Sequence, residues 1–172
     1  ALVYIKQEFE DEAYMQSSLE TWYARIAEIS GDGLAESILV ADTDKRKEDF
    51  RLWRHRIPEW SNEQGRDLWS QGGGKVGSDW WVPIDKLPEM MNYFYGLASD
   101  SGMQHMAYAH VGRGHPHTNI IAPNREKHKQ AEEILLACCR RAVELGGGVA
   151  GEHGLGKLHT DLLSIQHTPQ AV

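Results

Sequence analysis

The stretch Met103-Gln104-His105-Met106-Ala107-Tyr108-Ala109-His110-Val111-Gly112-Arg113-Gly114-His115-Pro116-His117-Thr118-Asn119-Ile120-Ile121-Ala122 decides the fold. Residues 103–111 and 117–122 read as two strands around a glycine-rich turn. Strands joined by so short a connection pair antiparallel. Downstream, Asn124 opens what reads as the longest helix, with Ala131, Ile134, Leu135, Cys138, Ala142 and Leu145 facing inward. It stops at Gly146-Gly147-Gly148, as a helix C-terminus does. Long helices beside a late pair of adjacent strands imply an α+β layer, with helices on one face of a mainly antiparallel sheet.

Working upstream, Asp85 opens a helix with Leu87, Met90, Met91, Phe94 and Leu97 on its inner face. Asp79-Trp80-Trp81-Val82-Pro83-Ile84 reads as a strand. Residues 61–78 read as a polar, glycine-rich linker. Its Gly72-Gly73-Gly74-Lys75 lacks the second half of a phosphate-loop motif. Before it, Asp42 or Thr43 caps a helix carrying Phe50, Trp53 and Ile57, which Pro58 weakens or ends. Residues 37–41 read as a short strand. Met15, Leu19, Trp22, Tyr23, Ile26 and Ile29 recur at helical spacing, closed by Gly31 and Gly33. Residues 2–9 read as a further strand.

The length of 172 residues suits one domain with a real core. A net charge of −7 argues against nucleic acid, which needs clustered Lys and Arg. No apolar run reaches the ~20 residues of a membrane span. The only cysteines, Cys138 and Cys139, are adjacent and read as two helix positions, so a reduced, cytoplasmic setting is the default. The chain begins inside a strand-like run and stops soon after a histidine-bearing tail, as part of a longer protein would.

Two segments carry chemistry. His110, His115 and His117 lie within eight residues, broken by Gly112 and Gly114. Gly151-Glu152-His153-Gly154 places a carboxylate beside an imidazole between glycines that let a ligand approach. His110 and His117 bracket the turn and can converge, with Glu152 supplying a carboxylate. Two histidines and a carboxylate with an open position form a catalytic-type metal site, zinc being one fit. The plainer alternative is a set of structural or solvated histidines, as His55, His105, His128, His159 and His167 read. A metal-dependent hydrolase with Glu152 as base is disfavoured, because no His-Glu-x-x-His helix is present.

The combination His-x-Gly-x-Gly-x-x-His-x-Asn, a helix, then Gly-Glu-His-Gly-Leu-Gly resembles the C-terminal domain of FAD-linked oxidases. These include glycolate oxidase subunits, D-lactate dehydrogenases and D-2-hydroxyglutarate dehydrogenases. Asp79 to Glu89 resembles the family's strand-then-helix entry, and Leu52-Trp53-Arg54-His55-Arg56 its Trp-x-x-Arg segment. The resemblance implies a single C-terminal cap or substrate domain, residues 1–172, with a ferredoxin-like sheet. A separate N-terminal domain would carry the FAD. It implies that His110, His117 and Glu152 bind a divalent metal and that His153 is the catalytic base. Asn119 and Arg56 would contact the substrate, with Arg54 the rival of Arg56. Gly151 and Gly154 would lie toward the cofactor. Lys75 sits near a lysine position of some members, out of register. The implied substrate is a small D-2-hydroxy acid, oxidised to the 2-oxo acid. The electron acceptor is unspecified, a homodimer is left open, and any membrane association would come through partners. Arg113 and His115 depart from the family's usual Asp and Asn. Arg113 either weakens metal binding or grips an anionic substrate. His115 is either a fourth ligand or a surface group. A piece of this kind can also act as a metal- or carboxylate-binding module without activity of its own.

Overall fold

A computed structural model describes residues 3–30, 37–156 and 159–168. The chain divides into two compact units, Ala1–Phe50 and Arg51–Val172.

In the first unit, helix α1 spans Glu12–Ser30. Asp11 starts it, its Oδ1 accepting the Tyr14 N–H at 2.7 Å. Met15, Leu19 and Ile26 are half-buried as the spacing requires, whereas Trp22, Tyr23 and Ile29 stay exposed. Of the strand expected over residues 2–9, the described residues 3–9 form none. Residues 3–9 lie along α1 instead, where Gln7 accepts from Trp22 Nε1 at 2.9 Å and donates to Ser18 Oγ at 3.3 Å. Nor do residues 37–41 pair with another strand, and a strand without a partner gains no ladder bonds. Gly31 and Gly33 lie outside the described residues.

Helix α2, Asp44–Asp67, is the longest described element at 24 residues, so α4 below is not. Thr43 caps it, Oγ1 accepting the Arg46 N–H at 3.3 Å. It runs through Pro58 and takes in the expected linker as far as Asp67, where the sequence reading had the proline weaken or end it. Packing explains the difference. Beyond the proline, Ser61 and Gly65 are buried, and a Cβ on Gly65 would stand 2.6 Å from Lys75 Cβ. Lys75 Nζ donates to Asn62 Oδ1 at 2.6 Å. Tertiary contact thus offsets the ~3 kcal/mol that an interior proline costs.

Strand β1 spans Gly74–Gly77, α3 Leu87–Asp100, β2 Gln104–His110, β3 His115–Ala122 and α4 Arg125–Glu144. A short helix, α5, follows at Leu163–Gln166. The three strands form an antiparallel sheet in the order β1-β3-β2. That is the β-α-β-β-α part of a ferredoxin-like arrangement. Residues 148–150, which follow α4, contribute only isolated bridges, Asp79 with Ala150 and Trp81 with Gly148. The strand expected over residues 79–84 is reduced to these bridges. Pro83 lacks an N–H, and the Val82 N–H is spent on the Gly114 carbonyl at 3.0 Å.

Helices α3 and α4 share one apolar core with the sheet, built on Val76, Trp80, Met90, Phe94, Ile120 and Ile134. Cys138 and Cys139 are free and buried in it, and burial pushes both thiols up to about 12. They are core residues, not nucleophiles. Asn124 caps α4, Oδ1 accepting the Lys127 N–H at 2.9 Å. Asn124→Ala should cost about 1 kcal/mol in a denaturant titration. Gly146, at φ 84°, closes the helix, and the Gly147 N–H reaches the Ala142 carbonyl at 2.8 Å. Among the described residues no helix is long and apolar enough to cross a membrane.

Candidate metal and acid–base site

β3 begins two residues earlier than the sequence suggested, because His115 and Pro116 pair with His110 and Ala109. This fixes the site. Residues two apart on a strand share a face. Val76, Thr118 and Ile120 face the helices, so His115, His117 and Asn119 line the opposite face. All three are buried, at 3–5% exposure. Gly114 makes the turn possible: its φ is 61°, and an added Cβ would strike the Val82 carbonyl.

His110, His117 and Glu152 come together. Glu152 Oε1 lies 3.1 Å from His117 Nε2 and 3.7 Å from His110 Nε2. One ligand atom from each of the three lies within 4.8 Å of the others. The arrangement suits a divalent ion with two nitrogen ligands and one oxygen. Burial, then the neighbouring His115, hold His117 below its ordinary pKa against the pull of Glu152 and Asp79. A neutral imidazole is the form that binds metal. His117 Nδ1 is buried without a hydrogen-bond partner, 4.0 Å from Asp79 Oδ1. Metal ligation through Nε2 leaves that nitrogen to carry the proton, aimed at a carboxylate, as ligating histidines commonly do.

His153 stands beside this set, its ring 5.0 Å from that of His117 and its side chain 63% exposed. Its Nδ1 is 3.2 Å from Asp79 Oδ1, and its Nε2 3.5 Å from Glu152 Oε1. Asn119 donates from Nδ2 to the His117 carbonyl at 3.3 Å. Tyr108, opposite His117 in the sheet, joins the face with its ring 5.0 Å away. Burial pushes its phenol up, against a hydrogen bond with Asn119 and assisted by the Glu152 charge.

Other expected positions stand apart. Arg113 is exposed on the turn after His110, and Arg54 and Arg56 are exposed on α2; no described ion pair joins any of them to the cluster. Lys75 shares the face of Asn119 through β1 but is spent on Asn62, and burial lowers its pKa. Gly154 is open, with no atom within 4 Å of an added Cβ. Of the histidines read as surface groups, His105 is half-buried, packed edge-on against Phe94 at 6.1 Å.

His115 is not a surface group. Its Nε2 meets Asp79 Oδ1 at 2.9 Å, and its ring occupies the space beside Gly151 that a Cβ would fill. Gly151→Ala should therefore cost about 1–3 kcal/mol of stability through overpacking, measured by denaturant unfolding.

Asp79 is the residue that sequence reasoning missed. Its Oδ2 accepts three consecutive N–H bonds, from Gly151 at 2.9 Å, Glu152 at 3.1 Å and His153 at 2.9 Å. Burial works to raise its pKa, but these bonds and His115 hold it below the usual carboxylate range. A folded-state value below the unfolded one adds stability above the ordinary carboxylate pKa, which is lost as pH falls through the folded value. Asp79, His115 and His117 also meet the distance condition for a metal. Both Asp79 oxygens are already committed to hydrogen bonds, which leaves the Glu152 set better placed for an ion.

The profile of the family described as FAD linked oxidases, C-terminal domain, matches residues 1–172. The chain is 26% identical over 166 residues to a probable mitochondrial D-2-hydroxyglutarate dehydrogenase of Oryza sativa subsp. indica, covering 94% of this chain and 27% of the relative. It is 26% identical over 152 residues to a D-lactate dehydrogenase of Anaerostipes hadrus, with 87% of this chain and 30% of the relative covered. It is 32% identical over 125 residues to the mitochondrial D-lactate dehydrogenase [cytochrome] of Kluyveromyces lactis, with 68% and 20% covered. The chain thus spans less than a third of the length of these relatives. Its histidine-lined sheet face and Gly-Glu-His loop sit on a chain that belongs to the C-terminal domain family of FAD-linked oxidases.

Proposed function

We propose that this chain is the substrate-binding part of an FAD-dependent oxidoreductase that converts a D-2-hydroxy acid to the 2-oxo acid. The observation that carries this is the convergence of His110, His117 and Glu152 beside His153 on one face of the sheet. A separate N-terminal domain would hold the FAD, and family membership and the names of the relatives support both parts of the reading.

His110 Nε2, His117 Nε2 and Glu152 Oε1 would hold a divalent ion such as zinc, which supplies Lewis acidity toward the substrate hydroxyl and carboxylate. Bound FAD supplies the hydride acceptor. His153 takes the hydroxyl proton at Nε2, since its Nδ1 faces Asp79 and its ring is open to solvent. Asn119 supplies a neutral hydrogen-bonding group on the same face. Arg113, exposed in the turn that leads from His110 to His115, is the candidate for an anionic substrate group nearest the cluster in sequence, with Arg56 on α2 the other. Gly154 is open enough for close approach of a cofactor. Buried, reduced Cys138 and Cys139 are consistent with a reducing compartment.

The test is anaerobic mixing of the flavin-loaded full-length enzyme with D-lactate, glycolate or D-2-hydroxyglutarate. Bleaching of the flavin by at least one of them is expected. A flavin that stays oxidised with all three overturns the substrate class.

A further inference from the structure

Asp79 has no part in the chemistry above, yet more polar contacts of the site converge on it than on any other side chain. It is 11% exposed. Its two oxygens do different work. Oδ2 gathers the N–H groups of Gly151, Glu152 and His153. Three successive donors on one acceptor fix the direction of the backbone, and with it the Cα–Cβ directions of Glu152 and His153. Glu152 is thereby aimed at His117 and His110, while the His153 ring turns back toward the carboxylate.

Oδ1 faces His153 Nδ1 at 3.2 Å and His115 Nε2 at 2.9 Å. An imidazole as exposed as His153 has little packing to restrain it. A carboxylate oxygen 3.2 Å from Nδ1 restrains the ring and favours the tautomer with its proton there, leaving Nε2 as the acceptor. His115 holds Asp79 from the far side, and the missing Cβ of Gly151 gives the His115 ring its place.

We infer that Asp79 is the positioning residue of the site: one carboxylate holds the Gly151–His153 backbone and sets the orientation and tautomer of His153. The inference rests on His153 acting as the base. An isosteric Asp79→Asn keeps one oxygen for the three backbone N–H groups but faces the imidazoles with a donor, so it tests the setting of His153, whereas Asp79→Ala removes both acceptors and tests the hold on the backbone.

The experiment uses the flavin-loaded full-length enzyme with D79A, D79N, H153N and the D79N/H153N double variant. In D79A, amide hydrogen exchange at residues 151–153 should accelerate at least about tenfold; in D79N, substrate-driven flavin reduction should slow about 10- to 100-fold, with substrate affinity nearly unchanged. Because Asp79 acts through His153, the double variant should be no slower than H153N alone. Losses that multiply in the double variant overturn the inference. Unchanged exchange at 151–153 in D79A overturns the hold on the backbone. If H153N alone reduces flavin normally, the base assignment fails, and the exchange result still decides the backbone role by itself. A measurement on the wild type does not depend on folding of any variant: nitrogen-15 spectra of labelled histidine should show the His153 proton on Nδ1. A proton on Nε2 overturns the tautomer claim.

Discussion

With His153 replaced by asparagine, the flavin-loaded full-length enzyme is expected to reduce its flavin about 10²- to 10⁴-fold more slowly, the range that a positioned general base contributes. Substrate affinity should change little. The His153 ring is 63% exposed, and its close partners are Asp79 and Glu152, so its loss removes little packing. The ligand set is untouched, because Glu152 Oε1 remains 3.1 Å from His117 Nε2. Stability should stay within about 0.5 kcal/mol of wild type, as for surface substitutions. Normal turnover in H153N would remove His153 from the mechanism.

Replacing His117 by alanine should have an effect of another kind. The variant is expected to lose more than about 100-fold in divalent metal affinity, beyond what loss of an outer hydrogen-bond partner costs. Elemental analysis after dialysis reads this directly. His117 is the most buried of the three proposed ligands, with 7% of its side chain exposed against 40% for both His110 and Glu152. The loss should therefore exceed that in His110→Ala, whose place water can fill. Equal metal content in wild type and H117A would sink the ligand assignment. Flavin reduction should fall with the metal, since the hydroxyl then loses its Lewis acid.

How much of this was legible in the sequence follows from which forces decide each element. Where local pattern and packing agree, the reading is sound: α1, α3, α4 and the β2–β3 pair lie close to where periodicity and glycines put them. Pro58 misled because its local cost is overridden by burial of Ser61 and Gly65. Residues 2–9 and 37–41 have strand-like composition, but composition cannot supply a neighbouring strand. Proximity in sequence made the three histidines conspicuous. Their sorting onto one face with Asn119 depended on β3 starting at His115, two residues before the expected boundary.

Asp79 was hidden for a different reason. It lies 36 residues from His115 and 72 from Gly151, and nothing in Asp79-Trp80-Trp81 announces a carboxylate aimed at a distant loop. An acid opening an otherwise apolar run was the only signal. The three successive N–H groups of Gly151, Glu152 and His153 take their acceptor from a residue 72 to 74 positions away, which no local pattern announces. The same logic corrects His115. A histidine in place of the family's usual asparagine reads equally as a fourth ligand or a surface group until its ring is seen filling the space beside Gly151.

The most direct test of the account is a crystal structure of the full-length enzyme grown with zinc, with data collected at the zinc absorption edge. One anomalous peak is expected about 2.0–2.2 Å from His110 Nε2, His117 Nε2 and a Glu152 carboxylate oxygen, with His153 beside it and not bound to it. A peak instead between Asp79 and His115, or no peak on this face of the sheet, would contradict it.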